Sequence, residues 1–529
     1  MLKTHYQFED LQLSSQLILD LIAEKESVKP LINQSYNLEN VRDQLKDKRI
    51  SPAIRKQLVD ALKRQNAQLE ISQKSQENLT LLSEESTYTV TTGHQLNVLT
   101  GPLYSLYKVA QTIVIAKALK EKYPHSNFVP IFWMATEDHD FDEINHLHLF
   151  GQKIAWEKSG QEDKVVGRIS TDSIDDFLEQ IEEKFKDPEA LKVVRVFTDI
   201  YRKTDTLAAA GRQIMDHFFG REGLLILDGD EPDLKSFFAP VMVKEVEEQL
   251  IKNQVEKTNA YLQKNGYHEQ VYVRTCNLFF INEEGKRIRI RREGETFHIG
   301  DTAYTKEQLT ALIREHPQQF SPNALMRPIY QEMLLPNVVV VGGGGEIAYW
   351  LQLKGVFDQL ELSFPLLRVR DSVLLHTREE KELLNELKIE LMDLKMGVHQ
   401  IIKDIALQES ESNLQLTAAE SDLFKAKSKV MEKVHQVNSA LEPMVEAEFT
   451  KMIKSIEKIE SKLIKAEKAK HEKTQKNLLK VKEHFFPENG FQERHESFLF
   501  YYLKDELFIQ KILTNLSAGN KAVIQLIEI

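Results

Sequence analysis

The chain has 529 residues, 42% hydrophobic and 28% charged, and 69 Lys and Arg set against 81 Asp and Glu give a net charge of −12. That length allows several domains of ~150 residues with real cores, and the acidic balance argues against a general nucleic-acid binder, whose surface should be basic. A lone cysteine, Cys276, excludes a disulfide framework. The absence of a signal-peptide layout and of any apolar run of ~18 residues points to a cytoplasmic protein without a membrane span.

In chain order, residues 1–86 read as a helical segment packed on the core: Leu, Ile and Val recur every three or four positions, and Ser51-Pro52 marks a helix start. Residues 87–150 change style. A β-branched strand at 87–92 breaks at Gly93-His94-Gln95, an amphipathic helix follows Gly101-Pro102 to about Lys122, and a second strand at 128–134 ends in an acidic cluster. Strand, helix, strand is a parallel βαβ unit. Residues 151–330 read as connecting insertions and core strands, with a short strand at 224–228 and two antiparallel strands around Asn282–Gly285 between 271 and 292. In 331–377 a Val-rich strand at 337–341 feeds Gly342, Gly343, Gly344 and Gly345 and then a helix, a second half for the same core.

Residues 378–485 carry heptad spacing, the signature of a coiled coil. Leu384, Leu387, Leu391, Leu394, Val398, Ile401 and Ile405 form one seam; Phe449, Met452, Ile456, Ile459, Leu463 and Ala466 form another. Residues 378–411 hold nine acids and five bases, whereas 451–480 hold ten Lys and four Glu. Opposite charge predicts that the two segments pair antiparallel. The aromatic-rich 486–529 segment predicts a return to the globular body.

Three motifs can carry chemistry. The 92–104 loop joins a strand to a helix, where Gly93 and Gly101 permit close backbone approach and His94, Gln95, Asn97 and Tyr104 add polar side chains, a setting for an anionic group. Next, Glu137, Asp138, His139 and Asp140 follow a buried strand, at the edge where α/β sheets bind ligands. Crowded carboxylates there favour a cation: a substrate ammonium, a nearby Arg or, less readily, a metal. His139 is the expected general base, oriented by Asp138 or Asp140, with Asp142 as a helix N-cap. Last, the 342–345 glycines lack the G-x-G-x-x-G fingerprint but suit an aminoacyl or nucleotide group, with Glu346 and Tyr349 facing it. Cys276 reads as a core thiol, and His146 and His148 alternate on a strand.

Thr-Gly-His-Gln-x5-Gly-Pro-Leu-Tyr (92–104), Phe-Trp-Met-Ala-Thr-Glu-Asp-His-Asp-Phe-Asp-Glu-Ile-Asn (132–145), Arg-Pro-Ile-Tyr-Gln-Glu-Met-Leu-Leu-Pro (327–336), the 342–350 glycine segment and Pro-x3-Phe-Gln-Glu-Arg (487–494) together resemble the bacillithiol-biosynthesis cysteine-adding enzyme family, BshC, along the whole chain. The resemblance implies an α/β fold: a Rossmann-like, nucleotidyltransferase-type core of the class I aminoacyl-tRNA synthetase kind, with connecting insertions and a coiled coil that dimerises the protein. It implies a ligase that attaches cysteine to glucosaminyl-malate. Catalysis would fall to His139, Glu137, Asp138 and Asp140; substrate binding to His94, Gln95, Asn97, Gly101, Tyr104, Arg327, Glu332, Glu346 and Tyr349; nucleotide binding to Gly342–Gly345, Arg368 and Arg370, with no metal expected. Where class I synthetases carry His-x-Gly-His and Lys-Met-Ser-Lys-Ser, this chain reads Leu99-Thr-Gly-Pro102 and Pro365-Leu-Leu-Arg-Val-Arg-Asp-Ser372. The energy source, ATP or another nucleotide, is therefore left open. Two other classes compete: a metal-dependent amino-sugar hydrolase liganded by Glu137, His139 and Asp140, and a coiled-coil scaffold with a degenerate core.

Overall fold

The computed structural model describes residues 3–161, 163–410 and 414–529, in two compact units: Lys3–His376 with Gln492–Ile529, and Thr377–Phe491. Glu411, the last acid of the first charged segment, lies outside the described residues.

The first unit is built on a five-stranded, all-parallel sheet in the order Leu225–Asp228, Asn127–Met134, Thr87–His94, Asn337–Gly342, Leu366–Val369. Numbered along the chain this is 3-2-1-4-5, the Rossmann arrangement, and the order reverses between Thr87–His94 and Asn337–Gly342. Both strands at that reversal are buried almost throughout, as β-branched runs covered on two faces must be. The helix Tyr104–Lys122 corrects the sequence reading: the expected amphipathic helix buries residues on every side, Ser105 to Ile113 without a break, because it runs inside the unit rather than over its surface.

An antiparallel sheet, Thr302–Thr305, Thr296–Ile299, Arg287–Glu293, Leu278–Ile281 and Phe320–Pro322, comes from the 151–330 region. In a third sheet, Val523–Glu528 pairs with both His5–Gln7 and Ser372–His376, tying the two chain ends of this unit together.

The second unit is helical, and it corrects the seams. The 384–405 seam is not one helix; it is broken into Arg378–Glu386, Leu391–Met396 and Val398–Glu409, with Gly397 at φ +142° at the second break. The long helix Glu442–Ala469 packs against Thr417–Val437 and Val398–Glu409; it buries Val445 and Phe449, while Met452, Ile459 and Leu463 are 46%, 53% and 41% exposed. A heptad register read from spacing alone cannot tell which of two adjacent apolar rows faces the neighbour.

Candidate active site

At the carboxyl ends of the two central strands, where the order reverses, lies a cavity of about 490 Å³. Open parallel sheets bind ligands there because the two flanking connections leave in opposite directions and open a crevice. Strand Thr87–His94 brings Gly93, His94 and Gln95; strand Asn127–Met134 brings Thr136, Glu137 and Asp138; strand Asn337–Gly342 brings Gly343, Gly344, Gly345 and Glu346. The antiparallel sheet adds Arg287, and the segments beyond contribute Asn323, Arg327, Tyr349, Arg370 and Arg494.

The acidic side is cross-linked by a single amide. Gln95 Nε2 donates to Asp138 Oδ2 at 2.8 Å and to Glu143 Oε2 at 2.9 Å. Burial pushes the Asp138 carboxyl up, but hydrogen bonds from Gln95 and from the His139 backbone N–H, together with the nearby Arg287, outweigh it and hold the group well below the usual carboxylate range. Glu137 is 9% exposed, its Oε1 2.9 Å from the Lys235 ammonium.

The opposite side is rich in donors. Lys108 pairs with Glu346 at 2.6 Å and also donates to the Gly93 carbonyl. Arg327 reaches Gln331 at 2.9 Å, and Glu346 and the Tyr349 hydroxyl at 3.3 Å each. Arg370 makes a two-pronged ion pair with buried Glu493, at 2.9 and 2.5 Å, and its guanidinium lies 5.5 Å from the Tyr104 ring centre. Arg494 is the exception: its guanidinium has no hydrogen bond or ion pair among the described residues. Gly343 caps the helix Gly344–Leu351 without a side chain, so the first N–H groups of that helix are left without a capping partner beside these arginines.

His94 sits between the two sides, edge-on to Tyr104 with ring centres 5.1 Å apart. Burial pulls its imidazole well below the ordinary histidine range, and the charges of Lys108 and Arg370 pull the same way. It is a neutral ring, and its Nε2 is buried without a hydrogen-bond partner.

The loop that leads here is set by backbone constraint. Leu99, Thr100 and Gly101 all have positive φ, and the Leu99 N–H donates to the Tyr201 hydroxyl at 2.7 Å. At Gly101, φ +59° and ψ −136° is a conformation side chains do not adopt, and a Cβ there would lie 2.6 Å from that of Asn97.

Of the residues expected from sequence, Glu137, Asp138, His94, Gln95, Tyr104, Arg327, Glu346, Tyr349, Gly343, Gly344, Gly345 and Arg370 line the cavity. The others do not. The His139 ring lies against Phe279, its Nδ1 3.0 Å from Arg287 Nη1; a guanidinium only donates, so it occupies the lone pair a general base would use. Asp140, not Asp142, caps the short helix Phe141–Ile144 by accepting from Glu143 N. Gly101 and Asn97 shape the loop, and Gly342 packs under Ile347. Glu332 is wholly buried against Lys48 at 2.7 Å, with Asn337 as a further donor. Arg368 is spent on Asp371 and on the carbonyls of Val369 and Lys521.

Sequence reasoning missed Lys108, Arg287 and Asn323, and it gave no role to Glu143 and Arg494 although both lie in the quoted 132–145 and 487–494 motifs. Lys108 was reachable, being one helical turn after Tyr104 and so on the same face. Arg287 arrives from an insertion and gave no signal.

Among the described residues no group of three His, Cys, Asp or Glu side chains is placed to hold a metal ion, and no helix is long and apolar enough to cross a membrane. Two family models match, both from bacillithiol biosynthesis BshC: its N-terminal Rossmann-like domain over residues 1–371 and its C-terminal coiled-coil domain over 373–526. Among curated relatives, one from Flavobacterium johnsoniae is 38% identical over 95% of both chains, and one from Flavobacterium psychrophilum is 37% identical over 94% of both. A third, from Christiangramia forsetii, is 34% identical over 94% of both; all three are named "Putative cysteine ligase BshC". The parallel sheet, the cavity at its reversal and these full-length matches place the chain in the BshC family of bacillithiol biosynthesis.

Proposed function

We propose that this protein is a cysteine ligase that forms an amide between the carboxyl group of cysteine and the amine of glucosaminyl-malate. The observation that carries the reading is the division of one cavity into a carboxylate side and a donor side. Cysteine presents an α-ammonium, which suits Glu137, Asp138 and Glu143. Phosphate or carboxylate groups suit Arg494 and the open N–H groups of the Gly344–Leu351 helix. His94, neutral and unpartnered at Nε2, is suited to a hydroxyl or amide rather than to an anion.

Joining a carboxylate to an amine requires one carboxylate oxygen to leave. A nucleoside triphosphate such as ATP supplies the means by turning that oxygen into part of a phosphate or adenylate leaving group. The attacking amine must lose a proton; since His139 is engaged by Arg287, that proton falls to a carboxylate of the acidic side. Purified protein given cysteine and glucosaminyl-malate, with and without ATP, tests the reading by mass spectrometry. An ATP-dependent cysteinyl product is expected, and no product under either condition rejects the proposal.

The assembly belongs to the same reading. The exposed apolar row Met452, Ile459 and Leu463 is suited to a second copy of the helical unit. Met452→Asp with Ile459→Asp should convert a dimer to a monomer in light scattering without changing helix content.

A further inference from the structure

Glu137 lines the cavity, but the group that fixes it stands outside. Strand Leu225–Asp228 turns into helix Pro232–Glu248, whose first turn delivers Lys235 behind the acidic wall. Lys235 is 1% exposed and is not a cavity residue; its Nζ lies 2.9 Å from Glu137 Oε1 and 2.8 Å from Asp230 Oδ1. Asp230 is gripped from its other side by Arg168 at 2.7 and 2.8 Å. Asp228 completes the group, accepting from the Thr136 hydroxyl and, at 2.9 Å, from the Asp230 N–H. The buried guanidinium of Arg212 donates to the neighbouring Ile226 carbonyl.

Three carboxylates therefore crowd one place, and of these Glu137 alone belongs to the cavity lining. Lys235 is the ammonium lodged between Glu137 and Asp230. Burial works against its charge, yet the two carboxylates together hold it above the ordinary lysine range. The contact with Glu137 is a charge-assisted one, with Nζ 2.9 Å from Oε1. The lysine thus anchors the carboxylate from behind the cavity wall, by charge and by hydrogen bonding.

We infer that Lys235 is a positioning residue for the amine-binding side of the cavity: it holds Glu137 away from Asp230 and Asp228 in the place where Glu137 can accept a ligand ammonium. The inference rests on the cysteine-ligase reading. Arg287, Arg168 and Tyr330 also face the field of Glu137, but none of them is in ion-pair contact with it among the described residues. Without Lys235 the Glu137 and Asp230 carboxylates would confront each other across the gap that Nζ fills, and Glu137 would have to turn.

Calorimetry on the full chain tests this with two ligands: cysteine, and 3-mercaptopropionate, which keeps the thiol and carboxylate but lacks the ammonium. Lys235→Met is expected to weaken cysteine binding at least tenfold and to leave 3-mercaptopropionate unchanged, and Lys235→Arg is expected to restore most of the loss. If Lys235→Met does not fold, Lys235→Gln takes its place with the same expected outcomes. Cysteine binding at the wild-type level in the charge-removing variant overturns the inference. So does an equal loss of both ligands together with a lowered melting temperature, which is what a merely structural lysine would give. A wild-type protein that binds no cysteine overturns the ligase reading itself, a result distinct from a wild type that binds cysteine and is indifferent to Lys235.

Discussion

The two strand–loop–helix units on either side of the sheet reversal carry glycines for opposite reasons. In the first, from Thr87–His94 to Tyr104–Lys122, the loop is wound tightly enough that Leu99, Thr100 and Gly101 all take positive φ, and Gly101 is crowded by Asn97. In the second, from Asn337–Gly342 to Gly344–Leu351, Gly343 has φ −73° and nothing within 4 Å of where a Cβ would stand. Gly342 and Gly344 of the same run are packing glycines: a Cβ added there would stand 2.9 Å from the Ile347 side chain and 2.5 Å from the Ser14 hydroxyl. One unit spends its glycines on shape; the other keeps at least one as open space beside the cavity. Similar sequence signatures therefore hide different physical roles.

The largest effect expected from breaking this contrast is at Gly101. Gly101→Ala forces a side chain into φ +59° and onto the Asn97 Cβ, and should cost on the order of 3 kcal/mol in denaturant unfolding. A loss below about 1 kcal/mol would mean that the loop relaxes and is not set by backbone constraint.

A second effect sharpens the role of Gln95 in the first loop. Because Asp138 is held below its unfolded value, it takes up a proton in the unfolded chain before it does in the folded one. Its contribution to stability is thus fully present above the unfolded carboxylate pKa of about 4 and is lost as pH falls through the lower folded value. Asp138→Asn should flatten that acid-side decline in thermal melts taken from pH 6 downward, and Gln95→Ala, which removes one of its hydrogen bonds, should flatten it in part. An unchanged decline in both would remove Asp138 from the set of groups that resist acid.

The smallest stability effect is expected at Gly343, where the consequence should be functional. Gly343→Ala fits the observed backbone and should change stability by under about 1 kcal/mol, the usual span for a capping position. Binding of a phosphate- or carboxylate-bearing ligand should nevertheless weaken roughly tenfold, equivalent to ~1.4 kcal/mol. Binding at the wild-type level would show that the open space at Gly343 is not used by a ligand.

The parallel core was readable in the sequence, and so was the sheet edge at which to look for a site. Runs such as Val338–Val341 and Phe128–Met134 can satisfy their hydrophobic side chains only as strands covered on both faces, and the polar residues that follow them must gather at one edge. That is why the glycine run was legible as part of the same core as the acidic cluster although about 200 residues separate them. Packing settled which members of each motif reach the cavity. Adjacent residues after a strand point in different directions, so Asp138 faces the cavity lining while His139 turns to Arg287, and Arg370 lines the cavity while Arg368 is consumed by Asp371. The partners that settle these choices, Arg287, Glu493 and Lys235, come from insertions and from the far end of the chain, and local spacing carries no information about contacts made across about a hundred residues or more. The same limit applies in the helical unit, where spacing marks apolar rows but packing decides that Phe449 is buried and Ile459 exposed.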